Sequence, residues 1–589
     1  MSEADAPTRP VPAGDEATNA ARPPRLEALA RLAPAAVFAL AIALAHGEIF
    51  ASGAERFAPI GPPLEQEVGR GFGVADVTYE AWLVARHART LLSRPWRVFD
   101  TEHCAPDERT LTYGVPLIGL GILAMPAALV SHEPLLVYNC ALLAWSALAA
   151  TAMYLLATGW TGRRAAGIGA ALFFAFHPIR LDHILHPAEW DIAWTALALH
   201  FADRLFTRGR WRDALGLGLS GAMQVATSFY TLLAASLLAA PIGLWLWLRR
   251  APRRATPAEL ALSLFCVALA AVLVLGPYAV ARDSARIGGR SEFLFASWQG
   301  YAPGGPLFPG FALALAALAG LATPRSLALP RAAADPRLPL CAGAALVAFV
   351  AAGPWTAISL QHLGLPVPDF DPYAWLSTLP GLDSIRVIAR LGTGPHLVAC
   401  VLAGMGIAAA QNAARGHAGA VGAALVAVIF ACVVGVGPRR WSLSELRPPA
   451  ESIDFFAELA QLGSAGPLLE LPLDFVGGAS TNLGASRILL ESWHGRRTSA
   501  CFGSFAPPGR DQLQQLALRL PDREAVRALR AQGFTTVVLH HPNGLAAALP
   551  QLRPFERARA ESEPVLRLLQ HGASMSAYEL VAAPAGTAP

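Results

Sequence analysis

"YGVPLIGLGILAMPAALVS", residues 113–131, decides how the chain is threaded. Its composition suits a membrane helix, and its length approaches the ~20 residues that a crossing needs. Counted as a span, it turns every later loop to the opposite side. Read as a re-entrant or interfacial segment, it leaves a topology that charge supports. Pro116, Gly119, Gly121 and Pro126 make it a poor continuous helix. Irregular backbone at membrane depth is tolerable where protein covers it.

Outward from this stretch, the 589-residue chain is 54% hydrophobic and only 15% charged. A soluble domain carries about 25% charged residues, and here the deficit is concentrated in runs of membrane-spanning length. Spans are expected near 33–50, 134–157, 165–178, 190–206, 213–228, 230–248, 258–279, 309–323, 338–353, 393–412 and 418–438, about eleven in all. With the N-terminus inside, the inner loops collect Arg163, Arg164, Arg204, Arg208, Arg210, Arg212, Arg249, Arg250, Arg253, Arg254, Arg325, Arg331, Arg337 and Arg415. The short outer loops near 179–189 and 229 hold only Arg180. That is the positive-inside bias.

The expected fold class is therefore mainly α: a polytopic helical membrane protein with a small α/β domain outside. Residues 1–32 read as a cytoplasmic disordered tail and 33–438 as the membrane domain, with a long first outer loop at 51–133. Further outer segments fall at 280–308 and 354–392. In 439–589, "GPLLELPL" (466–473) and "GFTTVVLHH" (533–541) read as buried strands, and "RDQLQQLALRL" and "REAVRALRAQG" as helices. No repeat of about 20–50 residues is visible.

Composition also excludes chemistry. All 46 basic residues are Arg, so lysine Schiff-base chemistry and Walker-type phosphate loops are absent. No basic stripe with interleaved aromatics points to nucleic acid. The seven Cys show no metal-ligand spacing. Cys104 and Cys501 fall in segments expected outside, and whether they pair is open.

Three stretches at the outer border concentrate polar side chains. In "GVADVTYEAWLVARHART" (73–90), Asp76 and Glu80 stand at i,i+4 on a helix expected to lie along the membrane surface, with His87 further on. Two acids so placed repel, which raises one pKa unless a cation lies between them. A carboxylate there can take a proton from a hydroxyl acceptor; as a helix cap, Asp76 would have a purely structural use. In "FFAFHPIRLDHILHPAEWDIAW" (173–194), Arg180, Asp182, His183 and His186 crowd a short turn. They suit the wall of a polar cavity or an interfacial belt. His183 and His186 with Glu189 have the residue types for a divalent metal, although the headgroup-level cluster is the preferred assignment. In "PGLDSIRVIARLGTGPH" (380–396), Arg386 and Arg390 at i,i+4 suit a phosphate, because guanidinium binds phosphate oxygens bidentately. Snorkelling to lipid headgroups is the alternative.

A first span, an acid early in a long outer loop, and many further spans resemble the GT-C class of membrane glycosyltransferases. The chain looks most like a bacterial multi-pass branch of it with a C-terminal periplasmic domain. The resemblance is carried by Asp76, Trp82 and His87; by TLTYGVPLI (110–118) and EPLLVYN (133–139); by Phe176, Pro178, Arg180, His186 and Trp194; and by IRVIARL (385–391). One departure is Ala75, where the pattern has Gly directly before the acid.

The resemblance implies a bacterial inner-membrane enzyme with its N-terminus in the cytoplasm and its C-terminus in the periplasm. It would move a sugar from a polyprenyl-phosphate donor to a glycan, lipid or protein acceptor. Asp76 would be the base, and Arg386 or Arg390 would hold the donor phosphate. Glu80, His87, Arg180, Asp182, His183 and His186 would line the site. A divalent metal assists some members, and no ligands are assigned to one here. Membrane lipids are expected partners; nucleic acid is not. Rival functions are a lipid or glycan transporter, which predicts charges inside the spans, a non-catalytic envelope assembly protein, and a ligase-type enzyme using His186 and an Arg.

Overall fold

The computed structural model describes residues 24–59, 72–176, 180, 186–187, 192–248, 255–281, 285–286, 295–329, 335–379, 381–435, 443–462, 465–473, 481–540 and 565–581. Asp182, His183 and Glu189 lie outside the described residues.

Each of the eleven apolar stretches contains a helix, beginning with Pro24–Ala45 and ending with Ala418–Phe430. Among the described residues four helices are long and apolar enough to cross a membrane: Pro134–Thr161, Phe229–Leu248, Pro257–Val280 and Ile388–Ala413. A fifth crossing is possible on the same criteria if Arg337–Ala352 and Trp355–His362, bent by 90° at their junction, act together. Others are shorter, such as Arg164–Ala175. The chain is a helical membrane protein.

The stretch 113–131 folds as a turn at Thr110–Tyr113 followed by the 11-residue helix Ile118–Ala128. At 1.5 Å per residue this helix is about 16 Å long, roughly half the hydrocarbon thickness. Leu117 before it adopts a left-handed backbone, φ 46°. Its glycines are packing requirements. A Cβ on Gly119 would stand 2.1 Å from Thr227 Oγ1, and one on Gly121 would stand 2.5 Å from His87 Cβ. Gly119→Ala should therefore destabilise by about 1–3 kcal/mol, the usual cost of overpacking. Thr227 would have to give up its hydrogen bond to the Met223 carbonyl (2.7 Å). Thermal unfolding in detergent, followed by tryptophan fluorescence, measures the loss; an unchanged midpoint would contradict this packing.

The stretch 73–90 lies in the helix Phe72–Ser93. Asp76 is inside it, not at its first turn, so it does not cap the helix. Nor is the helix a half-exposed surface element. Val77, Ala81, Trp82, Leu83, Val84, Ala85 and Ala88 are all buried, because Ile118–Ala128, Pro134–Thr161 and Thr481–His494 pack around it.

Residues 443–581 carry a four-stranded sheet in the order Leu468–Leu471, Thr536–His540, Met575–Leu580, Leu566–His571. The first pair is parallel and the others antiparallel. Leu468–Leu471 is wholly buried, as its unbroken apolar character around one acid implies. Helices Ala450–Leu459, Thr481–His494, Arg510–Leu518 and Arg523–Ala531 accompany the sheet.

Strand pairing, a disulfide and side-chain bonds tie this part to earlier segments of the chain. Phe57–Pro59 pairs antiparallel with Leu443–Glu445, and Ala285–Arg286 with Phe505–Ala506. Cys104 and Cys501 form a disulfide, flanked by backbone bonds from Cys104 N–H to Ala500 and from Ala105 N–H to Thr498 (both 2.8 Å). Trp82 Nε1 donates to Glu491 Oε2 at 2.6 Å. The basic residues of 73–90 also serve this scaffold. Arg86 is buried, pairs with Glu102 at 2.8 Å and donates to the Val98 and Asp100 carbonyls. Arg89 donates to the carbonyl of His132.

Candidate active site

The helix Phe72–Ser93 places Asp76 and Glu80 one turn apart on one side, and His186 stands between them. His186 Nε2 stands 3.4 Å from Asp76 Oδ2, and Nδ1 stands 2.9 Å from Glu80 Oε1. The two acids differ in access. The Asp76 side chain keeps 30% of its surface exposed, and Glu80 keeps 5%. Glu80 Oε2 is buried without a hydrogen-bond partner among the described residues.

Arg390 completes the cluster from a third segment. Its charge interacts with both Asp76 and Glu80, and its guanidinium lies 4.8 Å over the Tyr230 ring, a cation–π contact that orients the planar fork. The Tyr230 hydroxyl accepts from the Val387 N–H at 3.5 Å, fastening the same turn. The i,i+4 argument for Arg386 and Arg390 does not describe their backbone. Arg386 is half-buried in an extended connection, and Arg390 is in the 3-10 turn Ile388–Thr393. The following helix starts only at Gly394, with Pro395 at its opening, where a missing N–H costs nothing.

Two shifts characterise the cluster, and both favour holding a proton. Burial raises the pKa of Glu80, and the neighbouring Asp76 charge adds to this against the opposing pull of His186 and Arg390. At His186, burial and the Arg390 charge act to lower the pKa. The hydrogen bonds to Asp76 and Glu80 outweigh them, and the net shift is upward.

His87 and Arg180 make other contacts. His87 is fully buried, with Nε2 at 2.9 Å from the Pro116 carbonyl. Burial and the Arg86 charge lower its pKa to about 3, so it is a neutral packing histidine against the 113–131 segment. Arg180 donates to Ser146 Oγ at 3.2 Å. Tyr79, next to Glu80, turns away into an aromatic group with Trp82, His103 and Phe502. Tyr230 was not expected from sequence. The signal for it is an aromatic at the outer end of an apolar run, on the same side as 380–396.

Among the described residues no group of three or more His, Cys, Asp or Glu side chains is arranged to hold a metal ion. Asp76 and Glu80 are both engaged by His186 and sit beside a guanidinium charge, which does not suit a divalent cation at these residues.

With its long acid-bearing helix, bundle of apolar helices and C-terminal mixed sheet, the chain has the fold of a solved GT-C glycosyltransferase. It is similar to the arabinofuranosyltransferase AftD from Mycobacteria, with TM-score 0.51 and 17% identity over 93% of this chain and 40% of AftD. An AftD mutant, R1389S in its second class, gives TM-score 0.51 and 16% identity over 93% and 41%. The archaeal oligosaccharyltransferase AglB from Archaeoglobus fulgidus, in complex with an inhibitory peptide and a dolichol-phosphate, matches at TM-score 0.42 and 12% identity over 87% and 70%. The chain thus spans about two fifths of AftD. No protein-family model matches the sequence, and no curated protein matches it.

Proposed function

We propose that this protein is a glycosyltransferase that moves a sugar from a polyprenyl-phosphate donor to a cell-envelope acceptor on the periplasmic face of the bacterial inner membrane. The observation that carries the proposal is the convergence of Asp76, Glu80, His186 and Arg390 from three distant segments into one charge-balanced cluster. Asp76, the more exposed acid, takes the proton of an acceptor hydroxyl. The oxygen attacks the anomeric carbon of the donor, the bond from that carbon to the phosphate oxygen breaks, and polyprenyl phosphate leaves with the electron pair. Arg390 holds the phosphate. A guanidinium has five N–H donors, enough to serve an incoming phosphate beside the acids. Arg386, in the same connection, is a second candidate for this contact.

The Cys104–Cys501 disulfide supports an outer position for the first loop and for residues 439–589, because disulfides persist in oxidising compartments. On this proposal those residues form a periplasmic α/β domain near the acceptor.

The test uses the whole protein in lipid nanodiscs with a panel of polyprenyl-phosphate pentoses and hexoses, arabinofuranose included, and oligosaccharide and lipid acceptors. Release of polyprenyl phosphate together with a sugar-bearing acceptor is the expected result. Movement of the intact donor between leaflets without cleavage would replace the proposal with transport, and no reaction with any donor would favour an assembly role.

A further inference from the structure

Glu80 is an unusual group to find beside a catalytic base. It is almost fully buried, yet one of its two oxygens has no hydrogen-bond partner among the described residues. An ionised carboxylate pays heavily for a buried, unpaired oxygen, whereas a protonated one does not. Its other oxygen faces His186 Nδ1, and the far nitrogen of that ring faces the exposed acid Asp76. Among the described residues, the charged and titratable groups around it are Asp76 and Tyr79 on its own helix, Tyr138 on Pro134–Thr161, His186, and Arg390 from the 3-10 turn.

We infer that Glu80 is the proton store of the transfer reaction, taking the Nδ1 proton of His186 as Asp76 takes the proton of the acceptor. This rests on the reading of Asp76 as the base. Before reaction, an imidazolium donates from Nε2 to Asp76 and from Nδ1 to Glu80, both ionised. When the acceptor O–H bond breaks, its proton joins a carboxylate oxygen of Asp76. The Nδ1 proton of His186 moves to Glu80, leaving Asp76 neutral, His186 neutral with its proton on Nε2, and Glu80 neutral. One proton enters the cluster, and one acceptor oxygen bonds to the anomeric carbon. The phosphate departs with its electron pair, and the stored proton later leaves to water. Glu80 never touches substrate; it acts through His186 as a positioning residue that keeps the base from accumulating charge in a site of low polarity.

Two measurements test this on the whole protein in nanodiscs. Infrared difference spectra collected while the pH is lowered through the imidazole range should show a protonated-carboxyl band. The band should vanish in Glu80→Gln and persist in Asp76→Asn. A band that survives Glu80→Gln, or that disappears in Asp76→Asn, overturns the assignment without any substrate. If Glu80→Gln fails to form the Cys104–Cys501 disulfide, Glu80→Asp replaces it; its shorter carboxyl must move the band and its midpoint, and an unmoved band overturns the inference.

In the transfer assay, Glu80→Gln should lower kcat roughly 10- to 100-fold at unchanged KM. The acidic limb of the pH profile should move to lower pH, since the substitution removes a proton-holding group and a negative charge beside His186. A purely structural role would raise KM or lower stability and leave the limb in place. Retained transfer in Asp76→Asn would instead sink the base reading, a result distinct from any outcome at Glu80.

Discussion

Asp76→Asn should abolish sugar transfer while leaving the protein assembled and its donor bound. Asparagine keeps the size of the side chain and, through its carbonyl oxygen, an acceptor for His186 Nε2, 3.4 Å away in the native cluster. What it loses is the ability to take a proton. General-base catalysis contributes about 10²–10⁴ in rate, which corresponds to about 3–5 kcal/mol of the barrier. The loss should fall on kcat, with KM nearly unchanged, because no donor contact is removed. The Cys104–Cys501 disulfide gives the control for assembly, since it closes only when the first outer loop and the C-terminal part have docked. Full transfer by an assembled Asp76→Asn protein would take the carboxylate out of the chemistry.

Arg390→Gln should have the second largest effect, and on a different parameter. The guanidinium serves two needs: it balances Asp76 and Glu80, and on the proposed function it grips the donor phosphate. Hydrogen bonds to charged groups contribute about 1.5–3 kcal/mol each. Losing even one such bond should weaken binding of polyprenyl phosphate, measured directly in nanodiscs, by about 10- to 100-fold. Arg390→Lys separates the two needs. It restores the charge beside the acids but not the planar fork, so it should recover assembly better than binding. Native affinity in Arg390→Gln would confine the residue to neutralising the acids and would shift attention to Arg386.

How far the site was legible follows from where each residue's partners lie in sequence. Asp76 and Glu80 could be paired on one face because four residues on a helix fix their relation. His186 could be nominated because ionisable groups crowd a short turn between apolar runs. That the imidazole bridges those two acids depends on a contact across 106 positions, which no local pattern encodes. Arg390 was nominated through a helical spacing that the backbone does not adopt; its interaction with the acids comes from the 3-10 turn before Gly394.

The fold shows the same division. Pro116, Gly119, Gly121 and Pro126 marked 113–131 as a poor continuous helix; Pro126 lies inside Ile118–Ala128, and the glycines make room for Thr227 and His87. The burial of Phe72–Ser93 was invisible, because its cover includes Thr481–His494, some four hundred positions away, bonded through Trp82 and Glu491. A helix expected along the membrane surface is instead enclosed by tertiary partners, with Glu80, Arg86 and His87 in its interior.

The covalent bridge over 397 positions carries a consequence for biogenesis. A ribosome completes every intervening helix before residue 501 exists, so Cys104 waits as a free thiol throughout insertion. Maturation of the protein thus has a chemically marked last act, and thiol-blocking reagents added during synthesis would sort molecules by whether they had reached it. It also makes the polypeptide tolerant of a cut in any loop between the two cysteines: the fragments would travel together until a reductant parted them.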